Sequence, residues 1–461
     1  MRIARRGALR EAVAVTVGAV LVAAAFVLPR VNSGVRPRQD VGPERFATHA
    51  GSAPIFGEWL IHASWGTGPA IAIAIAVVAW GPLLAQRLSW RVVTLGSWAT
   101  ACGWAFALAM IDGWQRGFAG RLTTRDEYLW QVPGITDIGA TLRTFASRIV
   151  DYQPNSWTTH VSGHPPGALL TFVWLDRLGL HGGAWAGLLC LLAGSSAAAA
   201  VVIAVRALAD ERTARRAAPF VALAPTAIWV AVSADGYFAG VAAWGIALLA
   251  MAVHRPVRFP ALTAAGAGLL LGWGVFCNYG LMLVGLPALA VLAAAQNTRN
   301  GWADWRAILR ALGPAALGAI AVAVTFAIAG FFWFDGYTLV QQRYWQGIAK
   351  DRPFHYWSWA NLACVVCAIG LGSVAGISKV FDWPAIARRS GFHLLLLGVL
   401  AAIVVADLSM LSKAEVERIW LPFTVWLTAA AALLPARSHR IWLALNALGA
   451  LALNTIILTH W

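Results

Sequence analysis

The chain reads as an all-α integral membrane protein, and three observations carry that reading. Of its 461 residues 59% are hydrophobic and only 12% are charged, about half the charged share of a soluble domain, which is roughly 25%. Apolar runs recur from end to end at about the 17–25 residues needed to cross a hydrocarbon core of roughly 30 Å. In lipid such runs must be helical, because backbone N–H and C=O groups find no water there. The 25 Trp residues suit the aromatic belts of a membrane interface and equally the faces on which sugars stack.

The runs place spans at residues 9–28, 71–86, 92–111, 184–205, 217–232, 238–253, 261–277, 281–295, 312–334, 359–377, 392–411, 419–434 and 441–458, about thirteen in all. The N-terminus, with Arg2, Arg5, Arg6 and Arg10 before an apolar run, resembles a signal peptide. No small-x-small cleavage site precedes Pro29-Arg30, so it reads as an uncleaved first span.

Residues 165–180 resist assignment. Their apolar core is short, they contain Asp176-Arg177, and Pro165-Pro166 suits the first turn of a helix. If this segment crosses the membrane, Arg206, Arg212, Arg215 and Arg216 fall outside; if it is a surface juxtamembrane helix, they fall inside. The positive-inside rule selects the surface helix. With the N-terminus cytoplasmic, the majority of the 35 Lys and Arg residues then lie inside, accompanied by only Glu11, Asp210, Glu211, Asp304 and Asp382 of the 20 acids. Most carboxylates are left on the extracytoplasmic face of what is expected to be the plasma membrane.

Residues 1–461 form one polytopic membrane domain in this reading, with no internal repeat. Residues 1–91 make an N-terminal hairpin, residues 112–164 an extracytoplasmic loop, and residues 335–358 a late extracytoplasmic loop. The net charge of +15 is spread over short loops between spans, a pattern of membrane topology and not of nucleic-acid binding. Cys364-x-x-Cys367 has metal or redox spacing, but no His or second pair adjoins it, so it reads as packing.

Chemistry-bearing residues gather in the outer loops. Asp126-Glu127 is an adjacent acid pair able to supply a base for a hydroxyl nucleophile; Thr124-x-x-Glu127 also reads as a helix capping box. His160 and His164 follow in His-Val-Ser-Gly-His-Pro-Pro-Gly, where the Gly and Pro residues argue against a two-His metal pair on one helix. Asp235, with Tyr237 beside it, is an acid at an outer turn between two spans, and charges at such depth are costly and often functional. In the late loop Lys350, Arg352 and His355 are interleaved with aromatics, a composition suited to a phosphate head group at the interface. Lys413 and Arg418 form a second basic pair just before a span.

This ordered set resembles the membrane-embedded glycosyltransferases of the GT-C fold, in particular the protein O-mannosyltransferase and aminoarabinose-transferase branch. The similarity runs over residues 112–434: the acid pair in an early outer loop, His164-Pro165-Pro166, a small-residue span leading to a basic loop, Asp235, the Gly-rich stretch 272–278, and Ser412-Lys413 with Arg418-Ile-Trp-Leu-Pro422. It departs from the pattern in its early hairpin and in Asn278, where the family usually has Lys. The Ala, Gly, Trp and Arg richness is similar to that of actinobacterial envelope proteins, which implies an arabinose or mannose-like sugar.

The resemblance implies a polyprenyl-phosphate sugar donor, an extracytoplasmic glycan, lipid or protein acceptor hydroxyl, and inversion at the anomeric carbon. It implies Asp126 as base and Glu127 as an orienting catalytic residue. His164, Lys350, Arg352 and Arg418 would hold the donor phosphate, and His160, Asp235, Tyr237, His355 and Lys413 the substrates. No cofactor is required; a divalent metal is left open. The alternative is a transporter or flippase of a lipid-linked glycan, whose charged sites usually sit near the bilayer midplane, where these spans carry almost none.

Overall fold

A computed structural model describes residues 2–31, 52–295 and 304–460. Among the described residues eight helices are long and apolar enough to cross a membrane: Gly7–Val31, Thr67–Arg87, Trp90–Ala109, Gly183–Leu208, Ala234–His254, Pro260–Cys277, Trp305–Ile328 and Gly391–Leu408. Phe354–Ile369 and Leu371–Ile377 are bent by 110° and make a ninth if taken as one span. The bend falls at Gly370, whose φ of +77° favours glycine and where a Cβ would lie 2.5 Å from Asn446 Oδ1.

The other four apolar runs differ from the expected full spans, each for a local reason. Residues 217–232 contain Pro225, so the helix Glu211–Ala222 stops and only the short Ala227–Val230 follows. Every residue from 217 to 236 is buried, so this run is apolar because protein surrounds it. Tyr279–Ala293 and Leu421–Leu433 are shorter apolar helices, each partly in 3₁₀ geometry. His439–Ile456 carries polar residues that serve its neighbours. Asn446 Oδ1 accepts the Gly372 N–H at 2.7 Å, beside the bend, and Asn454 Nδ2 donates to the Leu108 carbonyl at 3.0 Å. Both satisfy backbone groups that a helix end or break leaves open.

Pro166–Arg177 has twelve residues, about 18 Å of helix, which is too short to span. Its middle and its C-terminal end touch the loop 112–164. Phe172 stacks on Tyr128 at 5.2 Å, and Arg177 Nη2 donates to the Thr136 carbonyl at 3.1 Å. The segment therefore lies at the end of the bundle that carries this loop. Its first eight residues, Pro166–Val173, are buried between that loop and the helix Pro260–Cys277.

The N-terminal pair does not close on itself as a hairpin. The first helix, Arg2–Val31, packs on the bent pair, and Tyr356 Oη donates to the Ala25 carbonyl at 2.9 Å. Thr67–Arg87 instead packs on Trp90–Ala109, Glu211–Ala222 and His439–Ile456. Much of the expected outer loop between them, residues 32–51, lies outside the described residues. Its end forms a short strand, Gly57–Trp59, antiparallel to Ile457–Thr459. Elsewhere small residues let helices touch backbone to backbone, most closely Pro260–Cys277 against Trp305–Ile328.

The polar loops collect at two ends. At one, Glu211 pairs with Arg206 and Arg215 at 2.7 Å each, and Arg215 Nη1 donates to the carbonyls of Ala85 and Leu88. At the other end lie the loop 112–164, the stretch 343–355 and the turn before Leu421, joined as described next.

Candidate functional site

The loop 112–164 is held in shape by its own polar bonds. Asp112 accepts from His62 Nε2 at 2.9 Å and Arg121 Nη2 at 2.8 Å, and Arg121 and Arg116 donate to carbonyls near the C-terminal strand. The Trp157 indole donates to the Phe145 carbonyl at 3.0 Å, and the Arg148 guanidinium covers its ring at 3.3 Å. This frame presents Asp126-Glu127 and the short helix Thr159–Gly163 side by side. The His160 N–H donates to the Asp126 carbonyl, and Thr159 Oγ1 donates to Asp126 Oδ1, both at 3.0 Å.

The two acids of the pair point to different environments. Asp126 is exposed. Glu127 is buried, and its Oε1 lies 3.2 Å from His160 Nδ1. Glu127 therefore does not complete the capping box that Thr124 suggested, since its side chain turns inward. Burial pushes the His160 imidazolium down, but the Glu127 carboxylate outweighs it and holds the group above its ordinary pKa. Burial likewise pushes Glu127 up, and His160 with Arg418 more than reverses this. Each group thus favours the charged form of the other.

His164 is the opposite case. Burial holds its pKa below the ordinary value, and its Nδ1 lies 2.8 Å from the His160 carbonyl and 2.9 Å from Tyr128 Oη. A carbonyl only accepts, so the neutral ring carries its proton on Nδ1 and keeps Nε2 as an acceptor.

Behind these residues stands a row of alternating charge. Arg418 Nη1 donates to Asp235 Oδ2 at 2.5 Å, and Arg418 Nη2 to Glu415 Oε2 at 3.1 Å. Arg352 Nη2 donates to Glu415 Oε1 at 2.8 Å. Arg352 also clasps Lys413: its Nη1 donates to the Lys413 carbonyl at 2.5 Å while Lys413 Nζ donates to the Arg352 carbonyl at 2.8 Å. Asp235, Glu127, Arg352, Lys413 and Arg418 are all buried. Glu127 Oε2 and Asp235 Oδ1 are buried without a hydrogen-bond partner among the described residues, which leaves two acceptors open to a donor from water or a ligand. Such a row needs its polar partners complete, since a buried charge left alone is expensive.

The structure thus brings together Glu127, His160, His164, Asp235, Arg352, Lys413 and Arg418. Asp126 sits at the rim, one residue from Glu127. It lies within electrostatic range of Arg343, which donates through Nε to Ser162 Oγ at 3.2 Å and pairs with Asp151. Lys350 and His355 are exposed on the late loop, and Tyr237 Oη accepts from the Trp273 indole at 2.9 Å, set among aromatic rings. Sequence reasoning missed Tyr128, Arg343 and Glu415. Glu415 alone carried a signal, as an acid placed between Lys413 and Arg418 in a stretch otherwise read for its cations. Among the described residues no three His, Cys, Asp or Glu side chains are grouped to hold a metal ion.

A scan against protein-family models finds no match, and a search of curated protein sequences finds none either. Solved structures do match. The apo oligosaccharyltransferase of Archaeoglobus fulgidus aligns with a TM-score of 0.52 and 14% identity, over 75% of this chain and 51% of that one. ArnT from Cupriavidus metallidurans bound to undecaprenyl phosphate aligns with a TM-score of 0.43 and 16% identity, over 75% and 59%. The chain spans about half the length of the archaeal enzyme. At such identity the likeness to the archaeal oligosaccharyltransferase is one of fold: the chain is a multi-pass membrane protein with a GT-C-like fold.

Proposed function

We propose that this chain is a membrane glycosyltransferase. It moves a sugar from a polyprenyl-phosphate donor to an acceptor hydroxyl on the extracytoplasmic side of the cell envelope, with inversion. The observation that carries the reading is the convergence of an early acid pair with late cations from two further stretches of chain, Arg352 from one and Lys413 with Arg418 from the other, at one end of an apolar bundle. The fold shared with an oligosaccharyltransferase supports it.

In this reading the exposed Asp126 takes the acceptor's proton as its oxygen attacks the anomeric carbon. The bond from that carbon to the phosphate oxygen breaks, and its electron pair stays on the departing polyprenyl phosphate. Arg352, Arg418 and Lys413 stabilise that charge, which preorganised donors in a dry site do at a few kcal/mol each. The buried Glu127–His160 pair holds the loop so that Asp126 faces the acceptor. His164, through Nε2, accepts from a sugar hydroxyl and, once protonated, binds phosphate. Lys350 and His355 form the rim, and Asp235 and Tyr237 line the sugar side. Arabinose or a mannose-like sugar fits the composition of the chain, and no nucleotide is needed, since the donor arrives already activated.

The test uses purified protein in nanodiscs with radiolabelled polyprenyl-phosphate sugars and envelope acceptor. Release of free polyprenyl phosphate with transfer of label supports the reading. Movement of intact donor between leaflets without release would replace it with a flippase.

A further inference from the structure

The two arginines assigned to the donor phosphate are already bridged by a carboxylate. Glu415 gives Oε1 to Arg352 and Oε2 to Arg418. Two forked guanidiniums converging on a pair of oxygens are also the arrangement that grips a phosphate, whose oxygens have similar spacing and charge. We infer that Glu415 is a placeholder: its carboxylate occupies the position of the donor lipid's phosphate, keeps Arg352 and Arg418 apart and aligned, and is displaced when that phosphate binds. The inference rests on the reading of the site as one for a polyprenyl phosphate.

Three observations single out Glu415 as the member that leaves. First, both arginines have other anchors: Arg352 its clasp with Lys413 and Arg418 its bond to Asp235, so neither guanidinium loses its place with the bridge. Glu415 is held by these two arginines. Second, its side chain is the most open of the three, at 16% exposure against 8% for Arg352 and 6% for Arg418. An incoming anion reaches it first. Third, it sits on a turn with stored backbone strain. Met410, Ala414 and Glu415 adopt left-handed φ values of 58°, 70° and 62°, each unfavourable for a residue with a side chain. A turn held in that form by two ion pairs relaxes when they are taken over.

Charge supports the exchange. A glycosyl phosphodiester carries one negative charge, as Glu415 does, so replacing one by the other leaves the row balanced. Burial pushes the Glu415 carboxyl up, but Arg352 and Arg418 outweigh it and hold it at about 2, so the placeholder stays ionised at working pH. The turn 410–415 would then act as a latch that keeps the cations from trapping stray anions or collapsing onto Glu127.

The experiment measures undecaprenyl phosphate binding to nanodisc-embedded protein for wild type, Glu415→Ala and Glu415→Gln, with thermal melting as a fold control. The placeholder account predicts about tenfold tighter binding by Glu415→Ala, and a smaller shift in the same direction for Glu415→Gln, which keeps the shape and loses the charge. A merely structural Glu415 gives weaker binding in both variants, because the arginines lose their alignment. Equal or weaker binding by whichever variant still melts cooperatively overturns the inference while leaving the site assignment standing, provided wild type binds. No binding by any of the three proteins overturns the lipid-phosphate reading itself and the placeholder with it.

Discussion

The bundle carries an acid bridging two arginines at each end, and the two bridges are built differently. At one end Glu211 joins Arg206 and Arg215 with its side chain 37% exposed. It lies in the first turn of its helix, where an acid is favoured, and Asp210 caps that helix by accepting the Thr213 N–H. At the other end Glu415 joins Arg352 and Arg418, and Arg418 reaches Asp235, whose side chain is 1% exposed. Exposed pairs contribute little, about 0–1 kcal/mol. Buried charges are costly to bring together, and removing one partner strands the other. The first bridge needs no reason beyond helix-end electrostatics and topology. The second is an expensive arrangement for stability alone, which is why we place the chemistry there.

The comparison breaks or sharpens under a series of substitutions. The largest expected effect is on turnover. Asp126→Asn lowers kcat for sugar transfer by about 10²–10⁴-fold, the usual share of a positioned base, with unchanged melting because Asp126 is exposed. Glu211→Gln leaves kcat within twofold or so. Next, Arg418→Met strands Asp235, leaves Glu415 with Arg352 alone, and destabilises by about 3–5 kcal/mol, read as a lower Tm in detergent. A loss under about 1 kcal/mol would mean the buried row is far less dry than it looks.

A third test uses pH. Glu415 and Glu417 are two residues apart and shift oppositely. Glu415 is held at about 2, so its contribution to stability is present above its ordinary 4.5 and is lost as pH falls from there toward 2. Glu417 is fully buried, accepts the Phe56 N–H at 2.9 Å through Oε1, and is pushed by burial up to about 7. Between about 4.5 and 7 the folded chain holds a proton the unfolded chain lacks, so stability falls as pH rises through that window. Glu417→Gln flattens the fall, seen by melting the two proteins side by side from pH 4.5 to 7.5. The smallest effect belongs to the exposed end: Arg206→Met, at a side chain 38% exposed, costs less than about 1 kcal/mol.

How much of this was legible follows from which forces act locally. Membrane residence and most spans could be read because each helix must satisfy its own backbone in lipid, a rule that acts on a short window of sequence. The short helix 166–177 was readable from its brief apolar core and its Pro-Pro start. Residues 217–232 misled because burial in protein and burial in lipid demand the same apolar composition, and Pro219 and Pro225 were the only local hints. His439–Ile456 is harder still, since Asn446 and Asn454 are explained only by partners at Gly372 and Leu108.

In the site, titratable residues in outer loops were easy to nominate, but which way they face was not. Asp126 and Glu127 are neighbours in sequence, yet one is exposed and the other buried against His160, a split fixed by tertiary packing. Glu415 was passed over because its meaning depends on Arg352, 63 positions away.

The most direct test of the central claim is a cryo-electron microscopy structure of the protein in nanodiscs with undecaprenyl phosphate. The account predicts phosphate density within hydrogen-bonding reach of both Arg352 and Arg418, with the Glu415 carboxylate moved aside and Asp126 facing the same opening. Phosphate density at Arg206 and Arg215, with the Glu415 bridge intact, would contradict it.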